Sequence, residues 1–104
     1  MNVTLEKIAD LLMYVGPNIE LKIREATLSG NVAKVYNENG LKRLVIESRL
    51  PYSLKVIDTY TYNEDDELIK HTIHVNNKEK VLFNKFSEIN DLLNTIDNSA
   101  TLIS

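Results

Sequence analysis

LKVIDTYTYNEDDELIKHTIHV, residues 54 to 75, decides the fold of this chain, because it contains two β-rich runs joined by four consecutive acidic residues. Alternate residues of each run are apolar or aromatic, as in strands that bury one face of a sheet. The residues that share one face are Leu54, Val56, Tyr60 and Tyr62 on the first run and Ile69, His71, Ile73 and Val75 on the second. The stretch therefore predicts a β-hairpin with both sets facing one core.

The register of this hairpin follows from the parity of its runs. An even-length loop pairs Tyr62 with Ile69, Tyr60 with His71, Asp58 with Ile73 and Val56 with Val75. An odd loop would place Ile69 opposite Thr61 and mix the two faces. Because Asp65-Asp66 is not the Asn-Gly or Asp-Gly pair that tight primed turns favour, we predict a four-residue loop from Glu64 to Glu67.

Length and composition indicate one small domain over residues 1–104. The chain is 43% hydrophobic, which is enough to form a core without disulfides or a metal, and it contains no cysteine. No apolar run is long enough to span a membrane, and the N-terminus lacks the basic start of a signal peptide. We therefore expect a cytoplasmic protein with no membrane contact, and the abundance of Asn, Ile and Lys indicates a low-GC bacterium or its phage.

The segments before the hairpin are predicted from their periodicity. Apolar residues at helical spacing predict a first helix over residues 3–15, ended by Gly16-Pro17. Residues 19–28 alternate between apolar and charged side chains and then change parity, which predicts one bent strand with a β-bulge near Glu25. Turns at Ser29 to Asn31 and Asn37 to Gly40 lead to strands over residues 32–36 and 41–50, and Pro51 ends the second strand.

The segment after the hairpin has two interpretations. An apolar stripe at helical spacing favours one long helix over residues 78–97 with Asn76 as its cap. The alternative makes Val81 to Phe83 a sixth strand and starts the helix at Ser87. The predicted fold class is α+β: a five-stranded antiparallel sheet, or a six-stranded one in the alternative, with an N-terminal and a longer C-terminal helix on one face of a two-layer sandwich. The other face should be largely open; it carries Thr59, Thr61, Lys70, Thr72 and His74.

Several site chemistries are disfavoured by the sequence. His71 and His74 lie on opposite faces of a strand and cannot share a metal, and the acidic loop lacks the spacing and glycine of an EF-hand. The three glycines lie too far apart for a phosphate-binding loop. A net charge of −3 argues against nucleic acid as a ligand. We expect no metal and no cofactor.

One polar cluster could support catalysis. The predicted register places Tyr60 opposite His71 and Asp58 diagonal to it, so that a carboxylate could orient an imidazole for acid–base chemistry. The alternative is that the three side chains satisfy one another at the margin of the core. No nucleophile can be placed beside them, and we therefore predict that the protein is not an enzyme.

The distribution of charge favours protein binding instead. Residues 53–104 hold nine acidic and five basic side chains, whereas residues 1–52 hold six acidic and seven basic ones. We predict a small non-enzymatic module, such as a phage-type inhibitor or adaptor, that meets a basic protein surface through the acidic hairpin and the open sheet face. The predicted contact residues are Tyr62 as an aromatic anchor, Glu64, Asp65, Asp66 and Glu67, with Glu88 and Asp91 flanking them. The alternatives are a ligand-binding or enzymatic domain that uses Asp58, Tyr60 and His71, and a dimeric secretion-type chaperone; a homodimer is compatible with the sequence.

Overall fold

The computed structural model describes residues 3–103, and the side chains of residues 3–96. Its elements in chain order are α1 (Val3–Met13), α2 (Ile19–Leu28), β1 (Val32–Glu38), β2 (Leu41–Leu50), β3 (Leu54–Tyr62), β4 (Leu68–Val75), β5 (Lys78–Asn84) and α3 (Lys85–Ile103). The strands form one antiparallel sheet in the order β1-β2-β3-β4-β5, so each strand pairs with its neighbours in sequence. The predicted α+β class, with a five-stranded antiparallel sheet and helices at both ends of the chain, is confirmed.

The segment over residues 19–28 is a helix, so the prediction of a bent strand is wrong. Asn18 caps α2, because its Oδ1 accepts a hydrogen bond from the Leu21 backbone N–H at 3.1 Å. The helix ends in a Schellman motif, in which Gly30 N–H donates to Thr27 O and Asn31 N–H donates to Ala26 O. Both ends of the segment are therefore satisfied as a helix, and no bulge at Glu25 is needed.

The segment over residues 78–84 is a strand, so the long helix over residues 78–97 is wrong and the alternative strand is correct. Asn76 and Asn77 have positive φ angles of 51° and 63°, and Val75 pairs with Lys78, so the two asparagines form a tight primed hairpin turn rather than a helix cap. The helix α3 begins at Lys85, and Asn84 Oδ1 accepts the Ser87 backbone N–H at 3.1 Å. The sheet still has five strands, as predicted. The segment over residues 78–84 adds the strand β5, and the segment over residues 19–28, which was predicted to be a strand, is the helix α2.

The central hairpin has the predicted register over most of its length. Three pairs are confirmed: Val56 with Val75, Asp58 with Ile73, and Tyr60 with His71. The fourth prediction is wrong, because Tyr62 lies opposite Leu68 rather than Ile69. The connection is an odd five-residue loop, residues 63–67, and Ile69 forms a bulge between the Thr61–Lys70 and Tyr62–Leu68 pairs that restores the parity.

The core lies between α2 and the middle of the sheet. Its buried side chains come from α2 and from strands β2 to β4; they are Ala26, Leu44, Ile46, Tyr60, Tyr62 and Leu68. Ile19 and Ile23 pack against this cluster, and with Ala26 they fall at helical spacing on one face of α2. The helix that covers the core is therefore α2, and α1 packs mainly against α3.

The end of α1 is tied to one end of the sheet. Val15 O accepts the Leu68 backbone N–H at 2.8 Å, and Tyr14 O accepts a hydrogen bond from Lys85 Nζ at 2.8 Å. The Tyr14 ring also contacts Phe83 edge-on, with centroids 5.4 Å apart. These contacts hold the end of α1 beside the start of α3, so the two helices run antiparallel.

Candidate functional site

The acidic loop between β3 and β4 is built around Asn63. Its side-chain Oδ1 accepts the backbone N–H groups of Asp65 and Glu67, both at 3.0 Å, and its Nδ2 donates to Glu67 Oε1 at 3.0 Å. The backbone N–H of Asp66 donates to Asn63 O, and Asp66 has a φ of 59°. The loop is therefore a defined turn, and the Glu67 carboxylate is one of the groups whose hydrogen bonds stabilise it.

The other three acids of the loop have different surroundings. Asp66 Oδ1 lies 2.6 Å from Lys42 Nζ, in an ion pair whose two side chains are about half exposed. Glu64 lies against the Asn39–Gly40 turn, where a Cβ on Gly40 would come within 2.6 Å of Glu64 Oε1. Asp65 is exposed. Within the described residues, Asp65 and Glu64 are the loop acids that no ion pair or side-chain hydrogen bond holds.

Tyr62 is a core residue, which confirms the prediction that it faces the core and means that it cannot serve as the predicted aromatic anchor of a contact surface. Its side chain is 0% exposed, and its hydroxyl donates a hydrogen bond to Pro17 O at 2.8 Å. Burial, with smaller contributions from Tyr60 and Tyr14, raises the pKa of Tyr62 to about 12. It faces the core because it shares the parity of Val56 and Tyr60 on β3, which are also buried.

A cleft of about 430 Å³ lies beside the acidic loop. Its apolar lining comes from Val15, Ile19 and Val35, and its charged rim comes from Glu20, Asp65, Asp66 and Lys42. Elements far apart in sequence form it: the α1–α2 connection, the start of α2, the edge strand β1 and the β3–β4 loop. Glu20 was not predicted as a site residue, because nothing in its local sequence separates it from the other charges of α2.

Glu88 and Asp91 do not flank the acidic loop in this cleft. They line a second groove of about 420 Å³ together with Lys7, Leu11 and Leu92, between α1 and α3. The predicted contact residues therefore belong to two separate surfaces, with Asp65 and Asp66 on one and Glu88 and Asp91 on the other.

The cluster of Asp58, Tyr60 and His71 has the predicted geometry. His71 Nε2 lies 2.9 Å from Asp58 Oδ1, within hydrogen-bonding distance. The His71 and Tyr60 rings are stacked, with centroids 4.0 Å apart and an interplanar angle of 15°. Both side chains are about one-fifth exposed. The register of β3 and β4 thus brings together three groups that are 13 residues apart at most.

Helix α2 lies over this cluster. Lys22 Nζ is 5.4 Å from the centroid of the Tyr60 ring. Burial, and then the charges of Asp58 and of Glu25 on α2, raise the pKa of the Tyr60 hydroxyl. A carboxylate bonded to an imidazole is chemically able to transfer a proton, but this pair is already stacked beneath a helix. The arrangement satisfies its own polar groups, as expected at the margin of a core.

The sheet face opposite α2 contains a shallow groove of about 390 Å³. Arg43, Lys70 and Phe86 line its sides. The expectation of an open face holds for Lys70 and His74, which are exposed, but it is wrong for Thr61 and Thr72, which are buried at 8% and 9% exposure by the side chains around them.

The described residues show no metal-binding group and no membrane-spanning helix, and comparison with known proteins identifies no further site. Among the described residues, no group of three or more His, Cys, Asp or Glu side chains converges on a point that could hold a metal ion. No helix in the described part of the chain has the length and apolar content needed to cross a bilayer. Comparison with protein-family models, curated proteins and solved structures found no match.

Proposed function

We propose that this protein is a non-enzymatic protein-binding module that holds a basic segment of its partner in the cleft beside the acidic loop. The observation that carries the proposal is the composition of that cleft. Three carboxylates, those of Glu20, Asp65 and Asp66, surround an apolar lining of Val15, Ile19 and Val35, and Lys42 is the cation among the lining residues. The cleft therefore has a net charge of about −2 and offers apolar contacts beneath the charges.

The edge strand β1 supports the same proposal. It lies at the end of the sheet order, and six of its seven residues are exposed, among them Val32, Val35 and Tyr36. An unpaired sheet edge presents backbone N–H and C=O groups to which an extended peptide can add as a further strand. Because Val35 also lines the cleft, a partner strand along β1 would place its side chains near the carboxylates.

The role that this proposal assigns is that of a cytoplasmic inhibitor or adaptor of phage type. Acidic side chains would speed association with a basic partner, and the apolar lining would slow its release. The abundance of Asn, Ile and Lys supports an origin in a low-GC bacterium or its phage. The acidic loop itself is a structured turn, so it can present Glu64 and Asp65 without ordering a flexible segment on binding.

A selection of random displayed peptides tests the proposal. The immobilised parent should enrich peptides that combine Lys or Arg with apolar residues, and added salt should weaken their binding. The variant Glu20→Gln/Asp65→Asn/Asp66→Asn should bind the enriched peptides at least about tenfold more weakly, because the carboxylates are gone.

A matched control removes the same number of charges elsewhere. The variant Glu79→Gln/Glu88→Gln/Asp91→Asn changes three acids outside the cleft and should keep the parent's affinity. Equal losses in the two triple variants would show that only net charge matters. If the parent does not enrich basic peptides, the proposal is wrong.

The second candidate function is acid–base chemistry at His71, and the 2.9 Å contact with Asp58 is the observation that favours it. A broad hydrolase and transferase substrate screen discriminates the two candidates. The protein-binding proposal predicts no turnover. Turnover that is abolished by His71→Ala in a folded protein, and kept in His74→Ala, would favour the enzyme instead.

A further inference from the structure

The sheet face opposite α2 carries a row of side chains that can donate hydrogen bonds. Arg43 of β2 pairs with Thr61 of β3, and Thr61 pairs in turn with Lys70 of β4. Lys70 pairs with Asn84 of β5. Directly paired residues of an antiparallel sheet point to the same face. The four side chains therefore form one line across four strands, which we call the donor row, and the Thr61 hydroxyl lies between two cations.

Two threonine hydroxyls of this face are nearly enclosed but have no partner in the protein. Thr61 is 8% exposed and Thr72 is 9% exposed, and both line the groove of about 390 Å³. In the described part of the chain, neither hydroxyl takes part in a hydrogen bond, and no fully enclosed side-chain oxygen lacks one. Both hydroxyls are therefore open to the groove, where a ligand would satisfy them.

The charge at the donor row is positive. Within the described residues, Lys70 forms no ion pair, and Arg43 lies 3.6 Å from Glu38 in a pair whose side chains are both about half exposed. Such a pair contributes little, so an incoming anion can compete for the guanidinium. The groove is also lined by Glu79, whose register partner His74 lies about 13 Å from Lys70 along β4. An oxyanion is therefore attracted to the donor row and not to the far end of the groove.

An exposed aromatic ring lies at the β5 end of the donor row. Phe86 is 58% exposed and lines the same groove, shortly after Asn84 in the chain. Asn84 Oδ1 accepts the Ser87 backbone N–H, which leaves the Asn84 Nδ2 group to donate to a ligand. Two strand spacings, about 10 Å, separate Thr61 from Asn84. The groove thus offers donors for an anion in its middle and a flat apolar surface at one end.

We infer that this groove binds a nucleoside monophosphate. Its phosphate lies over Thr61, where the Arg43 guanidinium and the Lys70 ammonium form charge-assisted hydrogen bonds with it. Its base stacks on Phe86, because an exposed aromatic side chain favours contact with a flat ring. Its sugar lies between the two, where a hydroxyl can bond to Thr72. The volume of the groove is within the range of small-molecule sites, and one extended nucleotide spans the distance from phosphate to base.

A single nucleotide fits this surface better than a nucleic acid strand. The chain has a net charge of −3, which opposes a polymer with many phosphates, but one phosphate is attracted by the two cations next to it. The groove shares no lining residue with the cleft beside the acidic loop, since Lys42 lines the cleft and its neighbour Arg43 lines the groove. The inference is therefore independent of the proposed protein binding.

Amide NMR titrations of the parent with three probes test the inference. Adenosine monophosphate should shift the amide signals of Thr61, Lys70 and Thr72, and should leave those of Ile19 and Val35 in the cleft unchanged. Ribose phosphate lacks the base and adenosine lacks the phosphate, so each should bind more weakly than adenosine monophosphate at the same groove.

Three variants separate the parts of the site. Arg43→Met/Lys70→Met should weaken adenosine monophosphate at least about tenfold and leave adenosine unchanged, because the phosphate loses its cations. Phe86→Ala should weaken adenosine monophosphate at least about fivefold and leave ribose phosphate unchanged. The control Lys7→Met/Lys78→Met removes the same charge outside the groove and should bind adenosine monophosphate like the parent.

The parent spectra decide the inference even if a variant fails to fold. Spectra that do not change at millimolar adenosine monophosphate overturn it, and so do shifts confined to the cleft. Equal losses in the two double variants also overturn it, because net charge alone would then explain the binding. Thr61→Val keeps the branched shape of the side chain and removes the hydroxyl, so it should fold like the parent and bind adenosine monophosphate more weakly.

Discussion

The two ends of this molecule bury their large apolar side chains to different extents. At the sheet end, α2 closes over β2 to β4, and Leu44 and Tyr62 are both 0% exposed. At the helix end, α1 and α3 bury Ile8 and Ile89 but leave Leu12 and other leucines half exposed. Among the described residues no buried side-chain nitrogen or oxygen lacks a hydrogen-bond partner, so the difference lies in how much apolar surface is covered. The sheet end therefore buries its large apolar side chains fully, whereas the helix end leaves several of them partly exposed.

The largest expected effect contrasts a buried leucine with an exposed one. Leu44→Ala should lower the free energy of unfolding by about 2–5 kcal/mol, because it leaves a cavity between α2 and the sheet. Leu12→Ala should change it by less than about 1 kcal/mol, because this side chain is 57% exposed. Urea titrations followed by circular dichroism measure both. Similar losses in the two variants would mean that the helix end is buried as completely as the sheet end.

The next effect concerns pH and Tyr62. The pKa of Tyr62 is about 12 in the folded protein, above its ordinary value near 10, because the side chain is buried. Above pH 10 the unfolded chain loses this proton while the folded chain keeps it, so stability is complete below pH 10 and falls as pH rises toward 12. At about 1.4 kcal/mol for each pH unit between the two pKa values, Tyr62 should account for roughly 2–3 kcal/mol.

Two phenylalanine variants isolate this contribution. Tyr62→Phe should cost about 1 kcal/mol at pH 8, because Pro17 O loses its donor, and should flatten the decline above pH 10. Tyr52 is fully exposed, so Tyr52→Phe should keep the parent's stability and its pH dependence. Denaturant titrations from pH 8 to pH 11 supply the comparison, and a Tyr62→Phe variant that declines as steeply as the parent contradicts the assignment.

A smaller effect is expected at the polar cluster. His71→Ala should lower stability by about 1–2 kcal/mol, because it removes the stacking on Tyr60 and the bond to Asp58. His74 provides the matched control, since it is exposed on the opposite face of β4. Its replacement by alanine should change stability by less than about 0.5 kcal/mol. Thermal melts that cannot separate the two variants would show that the cluster contributes nothing to the core.

The smallest effect is expected in the acidic loop. Asp66→Asn removes the ion pair with Lys42, but both side chains are about half exposed and such pairs contribute little. Asparagine also tolerates the positive φ of this position. The melting temperature should therefore stay close to the parent's, and a large drop would mean that the loop is part of the folding core.

The sequence predicts the central hairpin well because its information is local. Strict alternation over two neighbouring runs determines which residues face the core, and this was enough to pair Tyr60 with His71 and Asp58 with Ile73. The loop length was wrong by one residue because a bulge can absorb an odd loop. The bulge at Ile69 leaves no signal in the alternation of polar and apolar residues, whereas the burial of Tyr62 follows from that alternation.

Two elements were misassigned because the apolar residues of a short segment can fit both the helical and the strand periodicity. Ile19, Ile23 and Ala26 fit a helical face, while residues 19–24 also alternate as a strand does. The Asn18 cap and the Schellman ending at Gly30 decide for the helix. In residues 78–84, the Asn76-Asn77 turn decides for a strand in the same way.

The cleft was not predictable from the sequence, because it depends on tertiary positions. Its carboxylates come from α2 and from the β3–β4 loop, which are more than forty residues apart in the chain. The acidic residues Asp65 and Asp66 were found by composition, but their neighbour Glu20 could be identified only after α2 was known to be a helix beside the loop. The location of Glu88 and Asp91 also depends on tertiary structure. Both belong to α3, which begins after β5, and they line the groove between α1 and α3.

Amide hydrogen exchange compares the two ends most directly. The amides of β2, β3 and β4 should be strongly protected, because these strands form the buried part of the core. The amides of α1 should exchange much faster, because Ile8 is the buried residue of this helix and its other large apolar side chains are partly exposed. Protection of α1 that equals that of β3 would contradict this account.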